Sequence, residues 1–173
     1  MAPYPWYEIV GGDEPVLQGD FLAGCPVISP THTAAGETVA TEVCEYDVVV
    51  MSQSCDLVER KVDLVLVCPY WSLGDFGTRE AYFQGRQGRE QLRRGNVTGY
   101  HLLNRQELEQ FQSDYLVVDF RNVYGVPFSF LTDLARQKGR RVRLLPPYRE
   151  HLSQAFARFF MRVGLPVDIP AFR

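Results

Sequence analysis

Four residues of this chain have the side-chain types that a cysteine-dependent hydrolase requires: Cys55, Asp56, His101 and Asp119. A cysteine nucleophile depends on a base that raises its thiolate fraction, and that base depends on an acceptor that orients it. His101 and Asp119 could fill these two roles, since both fall at the ends of predicted strands. In the opposite interpretation Cys55 is a small turn residue and Asp56 caps backbone amides. The adjacent carboxylate also disfavours a thiolate at Cys55, so both interpretations stay open.

The stretch that would position Cys55 contains two apolar, β-branched runs, Val48–Met51 and Val62–Val67. Runs of this length and composition predict two buried strands that pair as a hairpin. Between them lie Ser52, Gln53 and Ser54, which we expect to bind a ligand because loops on a rigid sheet often carry function. The residues that we predict to be largely buried are Val48, Val50, Leu64, Leu66, Val117, Phe156 and Phe160.

A zinc site is a further possibility, because Cys25 and Cys68 each precede a proline, and Cys55 with His101 would complete four ligands. The spacings match no familiar zinc pattern. If 48–52 pairs with 64–68, Cys68 lies opposite residue 48 and about seven residues, or roughly 23 Å, from Cys55. We therefore predict that no metal is bound. We also expect no cofactor, since the chain has no P-loop, dinucleotide fingerprint, HExxH or GxSxG motif.

Arginines suggest a different kind of site. Segment 79–94 contains Arg89, Arg93 and Arg94 among other arginines, with aromatic residues nearby for stacking on bases. Arg140, Arg141 and Arg143 could extend it into a basic face that binds nucleic acid, although a solvated surface with internal ion pairs is the simpler interpretation. Arg121 lies two residues after Asp119, so both side chains point to one face of a strand. That pair could bind an anionic ligand or form a structural salt bridge.

The composition of the chain restricts these hypotheses. The chain has 173 residues, 46% of them hydrophobic and 23% charged, and a net charge of −3. This predicts one globular domain over 1–173 and argues against a protein that coats nucleic acid through bulk charge. No apolar run approaches the ~20 residues needed to cross a bilayer, and the start, MAPYPWYEIV, does not resemble a signal peptide. We therefore expect a cytoplasmic protein without a membrane partner, and its four cysteines as reduced thiols.

The order of predicted elements indicates an α+β fold that is mainly β. Residues 1–15 are expected to form an irregular N-terminal arm, and 76–94 a polar excursion from the sheet. A short helix is predicted over 105–111. The closing element is an amphipathic helix over 147–163, whose apolar residues share one face and whose end is marked by Gly164.

Several of these pieces follow the order found in PemK/MazF-type toxins, whose fold is an SH3-like barrel. They are Gly19-Asp20 and the segments DVVVMSQ, LVLVCP, VVDFRNVYGVPFSFL and LPPYREHLSQAFARFFMRVG, which together cover about half of the chain. The resemblance implies a compact SH3-like β-barrel carrying the polar excursion and the closing helix. The family typically has an Arg before the first valine run and a Thr or Ser directly after the proline of the second. Here Tyr46-Asp47 and Tyr70-Trp71 occupy those places, so the resemblance implies the fold and not the ribonuclease chemistry.

The segment Ser-Gln-Ser-Cys-Asp over 52–56 is also similar to one in small bacterial proteins, some of them linked to phage-defence islands. The two resemblances together imply a bacterial binding or regulatory component of a defence or toxin-type system. Its partner would be another protein or, through 79–94, nucleic acid. The alternative is a small enzyme, either a degenerate endoribonuclease of the toxin-barrel type or a Cys55-dependent hydrolase.

Overall fold

The structure, a computed structural model, describes residues 4–32 and 39–161, without the side chains of residues 30–32, 39 and 40. The strands are β1 (Tyr7–Val10), β2 (Phe21–His32), β3 (Val39–Val50), β4 (Leu64–Ser72), β5 (Tyr100–Leu103), β6 (Gln106–Leu108), β7 (Phe111–Ser113), β8 (Leu116–Asp119), β9 (Tyr124–Pro127) and β10 (Arg141–Leu144). The helices are α1 (Ser54–Val58), α2 (Leu73–Arg79), α3 (Arg86–Arg93), α4 (Phe128–Lys138) and α5 (Tyr148–Phe160), with a 3-10 turn at Ala81–Gln84.

The main sheet is antiparallel and follows the order β2-β3-β4-β8-β5, with β9 paired to β4 outside this path. Val48, Val49 and Val50 of β3 are fully buried, as the continuous valine run predicts. The predicted α+β class is therefore confirmed. In the described part of the chain the strand path stays open between β2 and β5, so the predicted closed barrel is not seen there.

A second sheet overturns the prediction of an irregular N-terminal arm. Strand β1 pairs antiparallel with β10, in a register that sets Tyr7 opposite Leu144 and Val10 opposite Arg141. Trp6, just before β1, stacks on Tyr148 with ring centroids 3.5 Å apart. Proline and glycine in this region indicated a loop, but a partner strand more than 130 residues later provides the missing hydrogen bonds. Residues 1–3 lie outside the described part.

Strand β4 packs against the core with the face opposite to the one that we predicted. Leu64 and Leu66 are 55% and 41% exposed, whereas Val65 and Val67 are fully buried. Because side chains alternate across a strand, a shift of one residue exchanges the two faces completely. The sequence run offers apolar residues on both faces, so its pattern does not indicate which face packs inward. The hairpin register also differs by one residue, since Cys68 lies opposite Val49.

The predicted helix over 105–111 is wrong, because residues Gln106–Leu108 and Phe111–Ser113 form the two-stranded β6–β7 hairpin. The polar excursion is helical and folds into α2, the 3-10 turn and α3. Gly88 lies within α3, where a Cβ would overlap the carbonyl oxygen of Tyr82. The glycine thus permits the close approach of α3 to the preceding turn.

Helix α5 packs on the sheet through part of the predicted apolar face, and Phe156, which we predicted to be largely buried, is only partly buried. Leu152 is fully buried, and Phe156 and Phe159 contact the ring of Phe120 at centroid distances of 5.4 and 6.4 Å. Phe160, which we predicted to be buried, is 59% exposed and contacts only the edge of this cluster. The helix ends at Phe160, so the predicted end at 163 and the stop at Gly164 lie outside the described residues.

Candidate functional site

The three residues of the predicted catalytic constellation lie in three different cavities. Cys55 lines a cavity with Gln53, Arg149 and Ser153, called the Cys55 cavity below. His101 lines the His101 cavity, between β5 and α5, and Asp119 lines the Asp119 cavity, between β4 and the end of β8. The Sγ of Cys55 has Asp56 Oδ1 as its neighbour at 3.8 Å. The structure therefore does not assemble a Cys–His–Asp site. His101 and Asp119 lie on the paired strands β5 and β8, but His101 is opposite Val118, so its side chain and that of Asp119 point to opposite faces of the sheet.

The polar residues next to Cys55 form hydrogen bonds within the chain. Ser52 Oγ accepts from the backbone N–H of Leu66 at 2.8 Å, and Ser54 Oγ accepts from that of Gln18 at 3.2 Å. Gln53 Nε2 donates to Ser153 Oγ on α5 at 3.1 Å. These contacts join α1 to β4, to the bend before β2 and to α5. Ser52, Gln53 and Ser54 thus have the role of turn residues that satisfy local polar groups.

His101 is poorly placed to act as a base for Cys55 and lies instead against an aromatic ring. Its imidazole stacks over Phe120 at a centroid distance of 6.1 Å. Burial and, to a lesser extent, the neighbouring His151 lower the pKa of His101 to about 4. The imidazole is therefore neutral at pH 7, because the protein disfavours its charged form.

The residues of the hypothetical zinc site are also kept apart. Cys25 and Cys68 are buried in different hydrophobic clusters, and all four cysteines are free. Burial raises the pKa of Cys25 to about 11 and that of Cys68 to about 12, which keeps both thiols protonated. Within residues 4–32 and 39–161 no group of three or more His, Cys, Asp or Glu lies close enough to hold a metal ion.

Two arginines of the predicted basic face are buried and belong to the fold. Arg141 Nε donates to Asp20 Oδ2 at 2.7 Å, and Arg143 Nε donates to Asp20 Oδ1 at 2.5 Å. The remaining guanidinium donors of Arg141 reach the carbonyl oxygens of Gly11, Glu14 and Pro15 at 2.7–2.9 Å. Asp20 is fully buried, and Arg141 and Arg143 are 2% and 7% exposed. The prediction that they contact nucleic acid is therefore wrong.

Other arginines do form a continuous basic surface. A cavity of about 470 Å³ beside α3, the α3 cavity, and the His101 cavity of about 410 Å³ share Arg93 in their walls. Six arginines line the two cavities together, against the carboxylates of Glu90 and Asp114. We call this surface the arginine face; its arginines are Arg86, Arg89, Arg93, Arg94, Arg105 and Arg158.

Much of the hydrogen-bonding capacity of the arginine face is unused. The guanidinium groups of Arg86 and Arg158 have no hydrogen bond or ion pair within the described part of the chain. Arg93 and Arg94 share one carboxylate, since both donate to Glu90 at 2.7 Å. Hydrogen bonds from these two arginines lower the pKa of Glu90 to about 2, so it stays ionised. A single carboxylate between two guanidinium groups leaves a net positive charge that can attract an anion.

Three further contacts place guanidinium groups over aromatic rings of the same sheet. Arg79 lies over Trp71 at 4.8 Å, Arg105 over Tyr115 at 4.7 Å, and Arg121 over Tyr100 at 4.4 Å from the ring centroid. The three aromatic residues belong to or adjoin β4, β8 and β5, which are neighbours in the sheet. Arg105 lines the α3 cavity, and Arg79 and Arg121 line the Asp119 cavity.

The Asp119 cavity lies beside these contacts and has a volume of about 220 Å³. Asp119 is 2% exposed; its Oδ1 accepts from the backbone N–H of Arg121 at 2.8 Å, and its Oδ2 accepts from Asn122 Nδ2 at 2.8 Å. Burial raises the pKa of Asp119, an effect that these two hydrogen bonds oppose. Arg121 Nη2 also donates to Glu80 Oε1 at 3.1 Å. Asp119 and Arg121 thus form the salt bridge that their spacing allowed, and Glu80 extends it.

The sequence reasoning missed Trp71, Glu80, Arg105, Tyr115 and Arg158 as members of this surface. They come from β4, the residue after α2, the loop before β6, the loop before β8, and α5, so no local pattern connects them. The signal in the sequence was the excess of arginine over carboxylate in 79–94, which indicated Arg89, Arg93 and Arg94. Their role in binding stays a prediction.

No protein-family model matches this chain, and neither does any curated protein. The class that the structure defines is an α+β protein with an open antiparallel sheet and an arginine-lined surface at one edge. Within residues 4–32 and 39–161, none of the helices has the length and apolar character to span a bilayer.

Proposed function

We propose that this protein is a binding module for single-stranded nucleic acid and that the strand lies on the arginine face. The observation that carries the proposal is the set of six arginines lining two adjoining cavities, in a chain whose net charge is −3. A local excess of this kind is the footprint that phosphate groups require. Arg86 and Arg158, at opposite ends of the face, have free guanidinium donors for phosphate oxygens.

The stacked arginines favour a single strand over a duplex. Bases of a single strand are free to stack on side chains, whereas those of a duplex already stack on one another. The guanidinium groups over Trp71, Tyr115 and Tyr100 offer three flat surfaces next to the phosphate-binding arginines. Such surfaces accept any base, because every base has a π face.

The cellular location of the protein and its relationship to a known fold family also belong to the proposal. We propose a cytoplasmic protein that shares the fold of PemK/MazF-type toxins, supported by the β3–β4 hairpin and by α5 following β10 in the order of that family. A closed barrel in an experimental structure of the whole chain would support the relationship, and an open sheet throughout would contradict it. The predicted protein partner stays a prediction.

Fluorescence anisotropy with a labelled single strand of about 12 nucleotides tests the binding. We expect measurable affinity at low salt and a linear fall of log affinity with log salt, with a slope of about 0.7 per phosphate contacted. The double variant Arg86→Ala, Arg158→Ala should weaken binding by at least about 10-fold, because two phosphate contacts are lost.

The matched control is the double variant Arg136→Ala, Arg140→Ala. Both residues are exposed and line neither cavity; Arg136 pairs with Asp133 and Arg140 with Gln110. The change in net charge is the same, so a purely global effect of charge would weaken both double variants equally. Equal losses, or no binding of the wild-type protein at low salt, would overturn the proposal.

A further inference from the structure

The Asp119 cavity borders the arginine face, and one residue joins the two. Tyr100 lines the His101 cavity, its hydroxyl donates to Glu80 Oε1 at 3.1 Å, and its ring lies beneath Arg121. Glu80 and Arg121 both line the Asp119 cavity. A strand that passes over Tyr100 therefore has the opening of this cavity next to it.

The walls of the Asp119 cavity suit one flat aromatic molecule. Trp71 lines it, together with Tyr46 and Tyr124, whose rings stack on each other at 5.4 Å. The volume of about 220 Å³ admits a single planar heterocycle and is far too small for a base pair with its backbone. The other half of the lining is polar, since five of the ten lining residues are Arg, Glu, Asp or Asn. Proteins hold an unstacked base with this combination, stacking aromatic side chains on its face and forming hydrogen bonds to its edges.

Some polar groups of the cavity already have hydrogen-bond partners within the chain, and others do not. Both carboxylate oxygens of Asp119 accept hydrogen bonds from Arg121 and Asn122, so this residue holds its neighbours in place. Glu80 uses Oε1 for Tyr100 and Arg121, and its Oε2 has no hydrogen bond within the described residues. Arg79 lies over Trp71 and has no hydrogen bond there either. The cavity thus offers one free carboxylate oxygen as an acceptor and one planar set of donors.

This combination distinguishes between the bases. Guanine carries two adjacent donors, N1–H and N2–H, which both reach the free Oε2 of Glu80, and two adjacent acceptors, O6 and N7, which match a guanidinium. Adenine and cytosine present a lone pair next to their amino group, which a carboxylate repels. Uracil and thymine have one N–H between two carbonyl groups, so neither edge matches as well.

We propose that the Asp119 cavity binds a guanine base of the strand held on the arginine face, with Glu80 as acceptor and Arg79 as donor. The inference rests on the proposed function, since the strand brings the base to the cavity. It adds a preference for sequence to a surface that otherwise binds any strand.

The test compares equal-length oligo(A) strands that carry a single different base at the centre. We expect a central guanine to bind about 10-fold more tightly than a central adenine, a gain of the size that one bidentate base contact gives. Inosine, which lacks the N2 amino group, should lose part of this gain through Glu80. The base 7-deazaguanine, which lacks N7, should lose part through Arg79.

The variant Glu80→Gln should abolish the preference for guanine, while oligo(A) binds at least as well because a negative charge is removed. Glu107→Gln is the matched control, since Glu107 is exposed on β6, lies outside the cavity and changes the charge equally. Thermal melting of each variant shows that it is folded.

The outcomes separate the two proposals. If strands bind but wild-type protein shows no preference for guanine, or if Glu107→Gln removes the preference as completely as Glu80→Gln, the guanine site is refuted and the strand-binding function stands. If no strand binds at all, both proposals fail.

Discussion

Two groups of arginines in this protein have the same side chain and opposite uses. Arg141 and Arg143 are buried, and their donors contact Asp20 and backbone carbonyl groups. Arg86 and Arg158 on the arginine face are unpartnered within the described residues. Sequence alone placed Arg141 and Arg143 among the candidates for nucleic-acid binding. The difference teaches that an arginine is available to a ligand only where the fold leaves its donors without acceptors.

The segment around Cys55 shows the same dependence on whether the fold leaves polar groups without partners. Ser52, Gln53 and Ser54 looked like ligand-binding residues because polar side chains follow a buried strand. In the structure each is paired with a group of the same chain. The Asp119 cavity has a comparable number of polar groups, yet Glu80 Oε2 and Arg79 remain without partners there.

The largest effect expected from this comparison is that of Asp20→Asn. Removing the charge leaves two buried guanidinium groups without a counter-ion, which typically costs about 3–5 kcal/mol of the free energy of unfolding. Chemical denaturation measures this loss. Asp133→Asn is the control, because the Asp133–Arg136 pair is exposed and such pairs are worth about 1 kcal/mol or less. Similar midpoints for the two variants would mean that the buried cluster is not a structural element.

His101 is intermediate between the buried and the exposed arginines, since it lines a cavity of the arginine face but is largely covered. Its titration therefore provides a further test of this comparison. Its pKa is about 4 in the native protein and 6.5 ordinarily. Between these values the unfolded chain binds the extra proton, so the native state loses stability as pH falls from about 6.5 towards 4 and is unaffected above pH 7. The loss should reach about 3 kcal/mol at most, at about 1.4 kcal/mol for each pKa unit.

Urea denaturation of the wild type and of His101→Gln between pH 4 and pH 7 measures this loss. The free energy of unfolding of the wild type, relative to that of His101→Gln, should fall as the pH falls over this window, because only the wild type carries the imidazole. Carboxylates that titrate in the same range are common to both and cancel. Parallel pH profiles would show that His101 is more accessible to water and protons than its packing against Phe120 indicates.

The smallest effect is expected for Cys55→Ser. Cys55 is exposed and its Sγ has only a long contact with Asp56, so the free energy of unfolding should change by about 1 kcal/mol or less. Binding of single strands should be unchanged. In the wild type, iodoacetamide should modify Cys55 in the folded protein, whereas the buried Cys25 and Cys68 should react only after unfolding. Loss of single-strand binding in Cys55→Ser would show that the segment around Cys55 is part of a functional site.

Local sequence patterns predicted the elements with strong, uniform composition. The valine run of β3, the apolar run of β4, the strand at Leu116–Asp119 and the amphipathic α5 all appear near their predicted places. The hairpin β6–β7 was predicted as a helix because its apolar residues, Leu108 and Phe111, are three apart, which a helix also accommodates. Strand β1 was missed because its four residues acquire their hydrogen bonds only from β10.

Sequence by itself determined which residue types were present in excess: a cluster of arginines in 79–94 and polar residues at strand ends. It did not determine which of them meet. Pairing of β10 with β1 and its bridge at Arg143 to Asp20 bury two arginines, and the register of β4 exposes Leu64 and Leu66. Antiparallel pairing of β4, β8 and β5 brings Trp71, Tyr115 and Tyr100 to one face of the sheet. These outcomes depend on contacts between residues far apart in the chain, whereas periodicity reports only how a segment faces its immediate surroundings.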